Sequence, residues 1–232
     1  MHEAYESRRG YQWSMHTALQ LWRSTVGRKA LVAVSGLLLW IWVTLHVAGN
    51  LTMFSGPAVA DAYAASLQRA PALLWMARVG LAAALAVHVA GIASLARASR
   101  RARPRHAARA ARGMSALPAR SMRVGGVLLL AFVVYHLLHL TFGVAHPHFR
   151  PGHVYDNVVV GLRSTWIAMI YVIAAALVGA HLFHGLWAAT RSLGVRPDTA
   201  AARRRPAVLF VSAGIALGFA SIPLAVLTGW LR

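Results

Sequence analysis

Cysteine is absent from the 232 residues, which excludes disulfides, thiolate zinc sites, cysteine-ligated iron–sulfur clusters, thioether-bound haem and thiol nucleophiles. Any metal must be held by histidine or by oxygen. Acidic residues are nearly as scarce: five Asp and Glu stand against 24 Lys and Arg, and all charged residues make up 12% of the chain, about half the share of an ordinary soluble domain. A net charge of +19 would suit nucleic acid in a soluble protein. Here the basic residues fall in short tracts between apolar runs, so the reading is no nucleic acid and a membrane instead.

Those runs are about 20 residues or longer, the length that crosses a hydrocarbon core of roughly 30 Å. They lie near 31–51, 73–96, 124–144, 165–190 and 206–230. They are continuous rather than alternating, which excludes an outer-membrane barrel. The expected fold is all-α, an integral membrane bundle of five transmembrane helices. Residues 1–29 form a separate N-terminal segment with Glu3, Glu6, Arg8 and Arg9 and no early apolar stretch, so it reads as an amphipathic lead-in rather than a cleaved signal; residues 30–232 form the transmembrane domain. Arginine tracts such as Arg97–Arg123 and Arg191–Arg205 gather on the side of the N-terminus. The positive-inside rule then puts the N-terminus in the cytoplasm and the C-terminus outside, a multi-pass arrangement with the tracts facing anionic lipid.

His46, His88, His136, His139, His181 and His184 fall inside the spans. Ionisable residues at membrane depth are costly and mark function, and no span holds an Asp or Glu to pair with them. A carboxylate–histidine proton relay is therefore poorly supported, whereas neutral imidazole as a metal ligand needs no carboxylate. A single transmembrane histidine is more often a packing residue bonded to a carbonyl; four on four helices are not. Counted along the spans, His46 and His136 form one layer and His88 and His181 another, separated by roughly 10 to 16 Å. Two bis-histidine haem b groups stacked across the bilayer need this arrangement. Gly49, Gly91 and Gly185 follow three of these histidines by three or four residues, so a flat porphyrin is expected to approach there, against the alternative of small-residue helix packing. His139 and His184 are left between structural roles and roles beside haem propionates or a quinone. His2, His16, His106, His146, His148 and His153 are read as surface residues, with a loose metal cluster of the last three and Asp156 less favoured. Trp40, Trp42 and Trp187 are read as core or interfacial belt.

Ser24–Lys29 (S-T-V-G-R-K), His46–Asn50 (H-V-A-G-N), Gly56–Pro71 with Tyr63–Leu67, Leu74-Trp75 with Arg78, and His181–Trp187 (H-L-F-H-G-L-W) together resemble the cytochrome b membrane subunit of succinate:quinone oxidoreductase, the succinate dehydrogenase and fumarate reductase family. More narrowly, the chain is similar to the b558 type, a five-helix subunit with two haems, over residues 20 to 230, which implies a bacterial cytoplasmic (inner) membrane. The resemblance implies that His46 and His136 hold the distal haem and His88 and His181 the proximal one, with His139, His184, Arg28 and Arg78 as neighbours of propionates or quinone. It implies electron transfer within respiratory complex II of the tricarboxylic acid cycle. A cytoplasmic flavoprotein subunit oxidises succinate, an iron–sulfur subunit passes the electrons on, and this chain, with no FAD or iron–sulfur cluster of its own and no catalytic residue for succinate, carries them to quinone, here menaquinone. A higher oligomer of the complex is compatible with this. One position departs from the family: some related fumarate reductases carry a membrane glutamate two residues before the fourth-span ligand, where this chain has Gly179. Rival readings are the cytochrome b of a formate dehydrogenase or hydrogenase, a haem-free anchor, and a histidine-lined transporter, which would bring inverted repeats and broken helices.

Overall fold

The computed structural model describes residues 22–102, 117–192 and 199–232, and these are helical almost throughout, with no strand among them. Residues 1–21 of the lead-in segment, with His2 and His16, and residues 103–116, with His106, Arg103, Arg105, Arg109 and Arg112, lie outside the described residues, as do residues 193–198. In chain order the elements are α1 (Thr25–Asn50) with a 3-10 turn at Leu51–Ser55, α2 (Pro57–Gln68), α3 (Pro71–Arg101), α4 (Leu117–His136) with a π turn at Leu137–Thr141, α5 (Val154–Leu162), α6 (Thr165–Ser192) and α7 (Thr199–Leu227). Five of these, α1, α3, α4, α6 and α7, are long and apolar enough to cross a membrane.

Local chemistry sets the ends. Ser24 caps α1 by accepting the Gly27 N–H at 2.8 Å, so the first helix begins before residue 30 and takes Arg28 and Lys29 with it. Pro57 and Pro71 open α2 and α3, where a missing N–H costs nothing. The third span stops at Thr141 rather than at 144 because Gly143 takes φ 72°, a conformation that turns the chain. Gly229, at φ 76°, ends the last helix, with Trp230 and Leu231 donating back to the Ala225 carbonyl in the manner of a glycine C-cap.

α1 and α6 are the central pair. α1 packs on α3, α6 and α7, and α6 packs on α1, α4 and α7. The contacts use small residues, Ala33, Ala168, Ala174 and Ala175 all being buried, as expected where lipid replaces water as solvent. Gly179 belongs to this set: a Cβ there would lie 2.8 Å from that of Ala216. The larger buried side chains, Met53, Tyr155, Val159, Leu162, Ile222 and Leu231, cluster at one end, where α2 and α5 fold over α7. Asp61 of α2 accepts the Tyr155 N–H at 2.9 Å and so caps the first turn of α5 across 94 residues of chain. We call this the capped end and the opposite one the basic end. Most large apolar side chains along the shafts face outward, Trp166, Phe210 and Leu217 among them.

Candidate functional site

Two of the candidate histidines meet near the basic end. The rings of His88 on α3 and His181 on α6 have centroids 6.3 Å apart, at 70° to one another. His88 Nδ1 lies 3.2 Å from the Val32 carbonyl oxygen, which can only accept, so Nδ1 carries the proton and Nε2 keeps its lone pair. Hydrogen bonding at one ring nitrogen is what fixes a ligand histidine's tautomer. Nδ1 of His181 is buried without a hydrogen-bond partner among the described residues.

The other two meet nearer the capped end. His46 on α1 and His136 on α4 have ring centroids 5.9 Å apart, at 78°. Phe219 of α7 lies 5.7 Å from His46, and Phe132 lies 5.9 Å from His136, so aromatic rings flank the pair. The amide of Asn50 approaches His46 Nε2 to 3.5 Å, at the limit of a hydrogen bond. Nδ1 of His136 is buried with no hydrogen-bond partner among the described residues.

The levels of the two pairs follow from what lies beside each ring. A Cβ on Gly36 would be 3.2 Å from His88, and one on Gly126 would be 3.7 Å from His181. The Tyr171 ring is 5.9 Å from His136. On α1, α4 and α6 alike, the residue level with one pair is thus ten positions from the histidine of the other, or about 15 Å of helix. Neither α3 with α6 nor α1 with α4 is close-packed among the described residues; in each pair the rings reach across from helices that stand apart.

The glycines turn out otherwise than expected. A Cβ on Gly49 would strike the Tyr63 ring, and one on Gly91 would strike Val32. Both are helix contacts, and only Gly185 faces open space. Gly91 still serves His88, because it lets α3 approach α1 closely enough for the ring to reach the Val32 carbonyl. The glycines that do adjoin the paired rings, Gly36 and Gly126, sit on the facing helices, where the spacing argument along one helix could not find them.

His139 and His184 stand outside both pairs. His184 Nδ1 donates to the Ala180 carbonyl of its own helix at 2.8 Å. His139 is fully buried in the π turn, bonds the Tyr171 hydroxyl at 2.8 Å and stacks between Tyr135 and His146. His146 is a correction: it is not a surface residue but 7% exposed, accepting from the His148 N–H at one nitrogen and donating to the Asn157 carbonyl from the other. Gly161 makes room for both rings. No group of three His, Asp or Glu able to hold a metal gathers among the described residues, so His146, His148, His153 and Asp156 form no such cluster. Arg28 ties α1 to α3 through Ser94 at 2.7 Å. Arg78 lies over Trp75, exposed, ten residues from His88 toward the capped end. The Trp40 indole N–H is buried without a partner among the described residues.

Two imidazoles that each place a nitrogen about 2 Å from one metal have ring centres about 6 Å apart, the separation that both pairs show. Each pair therefore has the spacing to hold one metal between two histidines. Comparison with known family models, characterised proteins and solved structures yields no match.

Proposed function

We propose that the chain is the cytochrome b membrane subunit of a succinate:quinone oxidoreductase, of the b558 type, and that His88 with His181 and His46 with His136 are the axial ligands of two haem b groups. The observation that carries this reading is the pairing itself: four histidines from four helices, two by two, at levels about 15 Å apart. The residues fit the group on three counts. The ring separations suit bis-histidine ligation, the helices of each pair stand apart, and each pair offers only two ligands, so the remaining ones must come from a cofactor such as a porphyrin.

When bound there, the haems supply one-electron chemistry between an iron–sulfur partner and membrane quinone, menaquinone in this reading. The chain's own contribution is positional. Val32 holds His88 in the tautomer that leaves Nε2 free, and this bond raises the ring's basicity toward a metal. Phe132 and Phe219 give the second site apolar flanks. Gly179, where some related fumarate reductases carry a glutamate, packs against Ala216 and Ser212; a longer side chain has no room, and a proton route through that position is not part of the proposal. The basic end is cytoplasmic and receives the iron–sulfur and flavoprotein subunits, with Arg28 at that face. The capped end lies outside a bacterial inner membrane.

The test is haem per polypeptide in the detergent-purified complex, by pyridine haemochrome assay with dithionite-reduced spectra. About two b haems per chain, with flavin and iron–sulfur subunits copurifying, are expected. A fully assembled complex without haem overturns the reading. His46→Ala or His136→Ala is expected to remove one haem and leave the other, and loss of both from an assembled complex counts against separate sites.

A further inference from the structure

At the capped end an open pocket of about 530 Å³ lies between α5 and the loop that precedes it. Its walls are fixed. The Asn157 side chain accepts the Arg150 N–H at 2.9 Å and donates to the Arg150 carbonyl at 2.7 Å, while His146 holds the His148 N–H and the Asn157 carbonyl. The loop is thereby strapped to the helix and cannot fill the space. Arg150 and Arg163 both line it, with Phe149 and Val160 as apolar lining.

Charge and depth decide the occupant. Arg150 is paired with Asp156, the carboxylate that lines the pocket, so Arg163 brings an uncompensated positive charge. Arg163 stands two residues before the fourth span, which begins at Thr165, and Trp166 beside it is 84% exposed. An exposed tryptophan at a span end marks the headgroup level. A cationic pocket with an apolar side at that level meets lipid phosphates.

We propose that this pocket binds the phosphodiester headgroup of an anionic phospholipid from the leaflet at the capped end, with Arg163 as the main contact and Arg150 shared between the phosphate and Asp156. This does not rest on the haem reading, since none of the four paired histidines takes part.

The detergent-purified, delipidated complex is titrated with short-chain phosphatidylglycerol and bound lipid is counted by native mass spectrometry. Phosphatidylcholine and inorganic phosphate are run in parallel. Binding of phosphatidylglycerol over phosphatidylcholine is expected, weakened about fivefold by Arg163→Gln and retained in Arg163→Lys. Asp156→Asn, which frees Arg150, is expected to tighten it by a similar factor, a gain that misfolding cannot imitate. Equal loss in Arg69→Gln, an arginine of the same end outside the pocket, or no gain in Asp156→Asn overturns the site. Displacement of the lipid by inorganic phosphate at matched concentration shows a free-anion site and overturns the lipid assignment.

Discussion

At His88 one carbonyl and one glycine act together. The Val32 side chain fills the notch left by Gly91, and that approach brings its carbonyl within 3.2 Å of His88 Nδ1. Gly91→Leu forces α3 away from α1, an overpacking that costs about 1–3 kcal/mol and breaks this bond as well. The expected outcome is a lower melting temperature in detergent together with loss of the haem assigned to His88 and His181, read from the haemochrome assay. Gly185 gives the contrast, because nothing lies within 4 Å of a Cβ built there. Gly185→Leu is expected to leave the melting temperature of the haem-free chain unchanged and to lower haem content. If both variants melt normally and keep full haem, neither glycine has the role assigned to it.

Among the elements, the two short helices matter most to the capped end, and a single carboxylate joins them. Asp61 on α2 accepts the Tyr155 N–H of α5, so Asp61→Ala leaves that donor without its cap, at about 1 kcal/mol. Asp61→Asn, whose amide oxygen still accepts, is expected to recover most of the loss in thermal unfolding. The five long helices were legible in the sequence because each is a continuous apolar run. Their ends were less so, since the third and fifth are stopped by Gly143 and Gly229 in left-handed turns, and the first begins at a serine cap inside what reads as a charged tail. The short helices, 12 and 9 residues long, have no run of spanning length to betray them. His146 was misread with them, because its burial depends on α5 and on Gly161 lying over it. Counting along the spans grouped the four histidines by level because depth is a property of one helix at a time. What faces Gly49 or Gly91 is set by a second helix, and one helix's spacing does not contain it.

For the whole molecule, direction across the membrane follows from where charge is left once the helices are placed. Arg23, Arg28, Lys29, Arg97, Arg100, Arg101, Arg123 and Arg205 lie at one end of the spans, while the other has Arg69, Arg150, Arg163 and Arg232 together with Asp61 and Asp156. Basic residues near span ends resist translocation, so the proposed arrangement keeps the richer end in the cytoplasm, and the five spans among the described residues would then put their first and last ends on opposite sides. A reporter fused after Arg232 checks this: alkaline phosphatase there is expected to be active and green fluorescent protein to be dark. The assignment of the two pairs hangs on the result. With the basic end inside, His88 and His181 are the pair nearer the proposed iron–sulfur partner, and His46 and His136 lie about 15 Å farther out. Dark phosphatase with bright fluorescence would exchange those roles and move the Arg163 pocket to the cytoplasmic leaflet, while leaving the pairing of the four histidines as it stands.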